Sequence, residues 1–294
     1  MTAELVTPAR SEAARRAPWT LMYHSVGDTS DDPYLITVSP DRLARQLRWL
    51  SRHGLTGVSM RELLAARAQG RAARLVGLTF DDGYADFLTE AVPLLRKYGH
   101  TATVFVLPGR LGGDNAWDEQ GARKPLLDAG GVRAAEAEGM EIGSHGLRHL
   151  DLTAADDVTL AAEAAESRSR LAEITGTAPG GFCYPYGAVD ARTLLAVRRA
   201  GYAYACAVDP GALAGAFALP RTYVGERDGS PRLHAKRVLH RMRGARLAEL
   251  PDPHPQSQPH AQSQPYPQPP RPAQDRPAPH DPPVPPAPPS REDT

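Results

Sequence analysis

The stretch Leu75-Val76-Gly77-Leu78-Thr79-Phe80-Asp81-Asp82-Gly83-Tyr84 decides how the rest of the chain is read. Its first half is a short continuous apolar run, the pattern of a strand buried on both faces. Its second half sets two carboxylates and a glycine at the end of that strand, and a helical pattern resumes near Ala85. In α/β proteins chemistry is assembled at the C-terminal ends of strands. Adjacent carboxylates repel each other unless something cationic divides them. An isolated Asp-Asp-Gly is ordinarily a solvated turn, so its meaning depends on whether other strand ends supply the cation.

Upstream, Trp19-Thr20-Leu21-Met22-Tyr23 reads as a strand ending at Tyr23-His24-Ser25. Ser39-Pro40-Asp41 opens a helix with cap, first-turn proline and acidic residue in order. Leu43, Leu47 and Leu50 form its buried stripe, Gly54 ends it, and Ser59 caps a second short helix. Downstream, a helix through Phe87, Val92 and Leu95 stops at Gly99, with Pro93 kinking or splitting it. Thr101 to Leu107 is β-branched and aromatic, a buried parallel strand. A glycine-rich loop holding Trp117 and Asp118 follows, then a helical stretch over 125–138. Met140-Glu141-Ile142-Gly143 is a strand ending at Ser144-His145.

The longest helix is expected over 154–175, with Thr153 and Asp156 as a near capping box and Glu166 paired to Arg170. Gly181-Phe182-Cys183-Tyr184 is a strand ending at Pro185-Tyr186-Gly187. A helix over 190–200, a strand over 202–208, a short strand over 217–224 and a basic helix over 231–248 complete the pattern. Strand and helix alternate with short connections, which means parallel strands with helices outside, in an open sheet or a barrel. Polar clusters recur at several strand ends, and that favours a barrel with one mouth.

Composition bounds the remaining possibilities. The formal net charge is zero, so nothing marks the chain for nucleic acid or an anionic membrane. No run approaches the ~20 apolar residues of a membrane span. Residues 1–17 lack the apolar core, about 7–15 residues long, of a secretory signal. The chain as written therefore reads as cytoplasmic, with an extracellular location as the alternative if the start is misplaced or export is non-standard. Cys183 and Cys206, its two cysteines, fall in strands and read as buried free thiols. More than half of the prolines lie beyond residue 250, among residues too polar to offset the entropy of ordering. The expected division is a disordered 1–17, a catalytic domain over 18–250 and a disordered proline-rich tail over 251–294.

Four polar clusters stand at strand ends: Tyr23-His24, Asp81-Asp82, His145 with His149, and Tyr184-Pro185-Tyr186-Gly187. Two histidines four apart can hold one metal from a single turn. With one aspartate they make three protein ligands and leave a position open, the pattern of a catalytic site.

Taken in order, Thr79-Phe80-Asp81-Asp82-Gly83-Tyr84, Glu141-Ile142-Gly143-Ser144-His145 with His149, and Tyr184-Pro185-Tyr186-Gly187 resemble the successive signatures of the polysaccharide deacetylase (NodB-homology) family. Thr103-Val104-Phe105-Val106 also matches a family strand. The resemblance spans Trp19 to Val224 and implies a distorted (β/α)7-type barrel that removes acetyl groups from N-acetylated sugars with a divalent metal, usually zinc. It implies Asp82, His145 and His149 as metal ligands, Asp81 as general base, the Tyr186 N–H as oxyanion donor, and Arg221 as the residue keeping Asp81 ionised.

Many members take the general acid from a Leu-x-His segment near the domain's C-terminus. Here the later histidines, His234 and His240, sit on a basic helix without that context. The Tyr23-His24 pair instead matches the poly-N-acetylglucosamine deacetylase-like branch and makes His24 the expected acid. The same fold also carries hydrolases of other esters, amides and cyclic imides, and inactive carbohydrate-binding relatives. Carbohydrate is the expected partner, and the sequence carries no sign of oligomeric state.

Overall fold

The computed structural model describes residues 16–248. The expectations for residues 1–15 and 249–294, the proline-rich tail among them, lie outside that range. In chain order the strands are β1 (Thr20–Tyr23), β2 (Ser25–Val26), β3 (Thr37–Val38), β4 (Thr56–Val58), β5 (Leu75–Phe80), β6 (Thr103–Val106), β7 (Glu141–Ser144), β8 (Gly181–Cys183), β9 (Tyr204–Ala207), β10 (Leu219–Pro220) and β11 (Thr222–Tyr223). The helices are α1 (Pro40–Arg52), α2 (Met60–Ala68), α3 (Val92–Lys97), α4 (Ala129–Ala137), α5 (Asp157–Thr175), α6 (Ala191–Arg199) and α7 (Ser230–Arg243). No helix among the described residues is long and apolar enough to cross a membrane.

The main sheet runs β10-β9-β8-β7-β6-β5-β1-β11, parallel throughout. Its two ends belong to one five-residue segment. Leu219 and Pro220 pair with Cys206 and Ala207, while Thr222 and Tyr223 pair with Leu21 and Met22. The sheet thus curls into a nearly closed barrel of seven positions whose seam is Arg221, and the expected strand over 217–224 is two short pieces either side of it. The barrel is distorted at β5, where one edge is shared. β4 pairs with Leu75–Gly77, and β6 takes over at Thr79 and Phe80.

Local sequence explains most of these elements. Ser39 accepts from Arg42 N–H to cap α1, and Leu43, Leu47 and Leu50 lie on its buried face. Ser59 and Glu62 form a full capping box on α2. Pro93 has no N–H to close a turn on Thr89, and the chain there passes from a π-turn over Phe87–Ala91 into α3. Three boundaries differ from expectation, one of them the end of α7, which stops at Arg243 rather than at 248. α5 begins at Asp157 because Asp156 alone caps it, accepting from Thr159 N–H, while Thr153 turns back to Asp151. α4 begins only at Ala129, because Pro125 and Leu126 bridge to Asp114 and Tyr84 instead. β2, β3 and β4, of two or three residues each, were not anticipated.

Barrel strands approach closely where a side chain is missing. A Cβ on Gly143 would lie 2.5 Å from the Phe105 ring. Phe105, Cys183, Cys206, Tyr204 and Leu219 pack with Met60 and Leu63 of α2, and both cysteines are free and buried. Hydrogen bonds continue the ladder one residue past the strands: Asp81 N–H to Tyr23 O, His145 N–H to Val106 O, and Tyr184 N–H to Cys206 O. The sheet itself therefore sets the height of the residues at the mouth.

Candidate active site

Beyond β5 the backbone turns left-handed at two consecutive residues, Asp82 (φ 70°) and Gly83 (φ 71°). Aspartate tolerates that region better than most residues. The turn brings Asp81 and Asp82, which an extended chain would point apart, to the same mouth, both 3% exposed. His149 (φ 67°) and Tyr186 (φ 59°) are also left-handed. Three of the four non-glycine residues in that region among the described residues therefore stand at this mouth, where a local cost of order 1–3 kcal/mol each is tolerated for the sake of geometry.

Asp82 Oδ1 lies 3.2 Å from His145 Nε2 and 3.3 Å from His149 Nε2. Its angles to them do not make hydrogen bonds, so it is a buried oxygen without a hydrogen-bond partner. The three ligand atoms lie within 4.8 Å of one another. His145 Nδ1 donates to Cys183 O at 2.9 Å, which assigns the proton to Nδ1 and leaves the Nε2 lone pair facing Asp82. A buried carboxylate oxygen with no proton directed at it and an imidazole fixed in the ligating tautomer fit a cation with an open coordination position. Burial pushes the Asp82 carboxyl up; when the two imidazoles are protonated, their hydrogen bonds and charge outweigh it and hold Asp82 well below the carboxylate range. A second grouping, Asp81, His145 and Cys183, is compact too. It is a poor ligand set, since His145 faces Cys183 through its protonated Nδ1 and burial pushes the Cys183 thiol up to about 11.

Asp81 has a different environment. Arg221 donates from both terminal nitrogens to its two oxygens, at 2.6 and 2.8 Å, and is itself held by Thr79 Oγ1 and Ala207 O. Burial pushes Asp81 up, yet the Arg221 guanidinium more than compensates and keeps it below the usual carboxylate value. His24 Nε2 stands 3.9 Å from Asp81 Oδ2, the oxygen that also accepts from Arg221 Nη2. The Tyr186 N–H, at the left-handed residue of the 185–187 turn, donates to no group among the described residues. His234 and His240 lie elsewhere: both are on α7, and the His240 ring stacks on Trp19 (6.2 Å) at the opposite end of β1 from His24.

A polysaccharide deacetylase family model matches residues 68–205. That segment contains Asp81, Asp82, His145, His149 and Tyr186, in the order and geometry just described. Residues 68–205 thus carry a polysaccharide deacetylase domain. The family is metal-dependent, and its deacetylases hydrolyse carbon–nitrogen bonds other than peptide bonds. A Bacillus subtilis relative named for this family, YxkH, is 27% identical over 209 residues, covering 69% of this chain and 70% of its own. Poly-beta-1,6-N-acetyl-D-glucosamine N-deacetylases of Staphylococcus aureus are 26% identical over 176 residues, 57% of this chain and 60% of theirs. The chain thus spans about three fifths of those enzymes. The solved structure of the Streptococcus pyogenes deacetylase PplD in complex with acetate is 25% identical, with a TM-score of 0.65, covering 74% of this chain and 97% of that one.

Several residues of this deacetylase mouth escaped the sequence reading. Trp117 stacks on His149 (4.4 Å, 23° between planes), and the Tyr186 ring meets the same imidazole edge-on at 4.6 Å. Asp118 accepts from the Tyr84 hydroxyl and Asn115 Nδ2. Glu163, fully buried on α5, shapes the histidine loop by accepting from Leu147 and Arg148 N–H and from Arg148 Nε. A polar junction then ties four segments together. Ser25 Oγ donates to Asp86 Oδ2 at 2.5 Å, and Lys124 Nζ donates to Ser25 Oγ and Thr37 Oγ1. A glutamate on the apolar face of a helix was the one available signal for Glu163, since it lies between Leu160 and Ala164.

Proposed function

We propose that this protein removes acetyl groups from N-acetylhexosamine units of a poly- or oligosaccharide, using a divalent metal held by Asp82, His145 and His149. The observation that carries this reading is the division of two adjacent carboxylates: Asp82 faces two imidazoles, and Asp81 faces an arginine. Two nitrogens and one oxygen with a position left open suit zinc. Bound there, the ion supplies Lewis-acid chemistry, polarising the amide carbonyl and acidifying water.

The chain's own groups account for the rest. Asp81, kept ionised by Arg221, takes the proton from the attacking water. The water oxygen bonds to the carbonyl carbon while the Tyr186 N–H donates to the developing oxyanion. His24 then gives its Nε2 proton to the nitrogen as the carbon–nitrogen bond breaks, and acetate and an amine depart. The buried, unpartnered Nδ1 of His24 and the 3.9 Å between its Nε2 and Asp81 Oδ2 support reading it as the acid beside the base. The name of the Staphylococcus aureus relatives makes β-1,6-linked N-acetylglucosamine oligomers the first substrate to try.

The test pairs metal content with acetate release. Asp82→Ala should leave gel filtration without metal. Asp81→Asn should keep metal and lose turnover by about 10²–10⁴, the usual contribution of a positioned base. Full metal occupancy in the first variant, or wild-type turnover in the second, would overturn the division of roles.

A further inference from the structure

The mouth does not end at the metal site. Residues 28–36, between β2 and β3, lie against it with two faces. On one, the Tyr34 hydroxyl accepts from Gln120 N–H (3.2 Å), in the loop that carries Trp117. On the other, the Leu35 carbonyl accepts from the Tyr223 hydroxyl, and beyond it opens a cavity of about 560 Å³. Its walls are the 29–37 segment, residues 223–228, and one face of α7 carrying Arg232, Ala235, Lys236 and Leu239. The first two walls follow the C-terminal ends of β1 and β11, the end of the barrel at which Asp81 and His24 stand, and the α7 wall runs from there along the outside of the barrel to Leu239.

Its carboxylates are already engaged. Asp32 accepts from Ile36 and Thr37 N–H, and Asp228 from Gly225 N–H and Lys236 Nζ. Glu226 accepts from Ser39 N–H with Arg42 at 3.6 Å. Lys236 is therefore paired as well. Arg227 and Arg232 are exposed, and neither side chain has a hydrogen-bond or ion-pair partner among the described residues. α7 adds to this, with five lysines and arginines and no acid in fourteen residues. The remaining lining is apolar: Leu35 and Leu239 are about half exposed (50% and 46%), and the Tyr223 ring has Lys236 over it at 5.4 Å. Apolar walls with a few placed polar groups are the mark of a small-molecule site, and unpaired guanidinium groups match an anionic substituent.

We propose that this groove is a second glycan subsite, holding an acidic sugar unit of the same chain whose N-acetyl group lies at the metal site, with Arg227 and Arg232 as the recognising cations. This rests on the reading of the metal site as a glycan deacetylase. It makes the preferred substrate a heteropolymer of N-acetylhexosamine and acidic sugar.

Isothermal titration of the full chain tests it, comparing a hexasaccharide of alternating N-acetylglucosamine and glucuronate with a neutral N-acetylglucosamine hexamer. The acidic oligomer should bind about tenfold tighter at low salt, with the advantage shrinking as ionic strength rises. The double variant Arg227→Ala/Arg232→Ala should bind both equally, and Arg227→Lys/Arg232→Lys should restore part of the preference. Equal affinities in the wild type, or a preference that survives the alanine variant, would overturn the proposal. So would binding to phosphatidylglycerol vesicles with no oligosaccharide preference, which would assign the cationic face to a lipid surface. Because the titration reads binding and not turnover, failure to release acetate would count against the deacetylase reading alone.

Discussion

Asp81 keeps its charge in a buried position because a residue far along the chain meets both of its oxygens. Arg221→Met would leave that carboxylate buried and unpaired, with an expected loss of about 3–5 kcal/mol in urea unfolding. The sign of the pH effect follows from the pairing. With Arg221 present the folded-state value is depressed, so the stabilisation is present above the unfolded aspartate value and lost as pH falls through the folded one. Without Arg221 the largest effect opposing burial is gone and only the charges of His145 and His24 remain against it, so the acid limb of the pH–rate profile should move to higher pH. A second prediction separates the histidines: His24→Ala should reduce turnover at least 10²-fold, while His240→Ala, at the other end of β1, should leave it near wild type. Equal losses in steady-state assays would refute that assignment. At this scale the sequence carried residue identity better than conformation. The His145 and His149 pair was legible from spacing and Asp82 only through the family resemblance, but the left-handed backbone at Asp82 and His149 has no counterpart in composition. Trp117 was unreadable for another reason, since its stacking on His149 joins positions 32 apart that no periodicity relates.

Secondary-structure elements were legible where periodicity had room to repeat. α1 shows its stripe and cap in the sequence, whereas β2, β3 and β4 are too short for any alternation to register. Those short pieces nonetheless position chemistry. The Ser25–Asp86–Lys124 junction fastens β2, next to His24, to the turn after Asp82 and to the loop bearing Trp117. Asp86 has one oxygen on Ser25 and the other buried without a partner. Burial pushes its carboxyl up to about 6 in spite of the Ser25 hydroxyl. The folded protein then holds this proton between pH ~4 and 6 while the unfolded chain releases it, so stability should fall across that interval, by up to about 3 kcal/mol. Asp86→Asn cannot titrate and should lack that slope. Denaturant unfolding at pH 4, 5, 6 and 7 checks it, and parallel curves for the two proteins would show that Asp86 titrates as it does unfolded.

At the scale of the whole molecule, alternation alone left open sheet and barrel both possible, the polar clusters at several strand ends favoured the barrel, and the closure itself lies in a segment that periodicity could only outline. Leu219 to Tyr223 reads as one short strand, yet it joins two edges of the sheet. The proposed metal ligands come from the ends of β5 and β7, so an ion there should tie two sides of the barrel together. Chelation should therefore lower the melting temperature, and added zinc should restore it. A free concentration of a hundred times Kd corresponds to about 2.7 kcal/mol, and a melting temperature indifferent to chelator would contradict the ligand set. The seam has a consequence in time as well. Asp82, His145 and His149 are all synthesised before Arg221, which follows Asp81 by 140 residues. A nascent chain, or a fragment cut short of the seam, would hold the proposed ligands while Asp81 stays uncompensated, so competence for catalysis is expected only once Arg221 has joined the barrel.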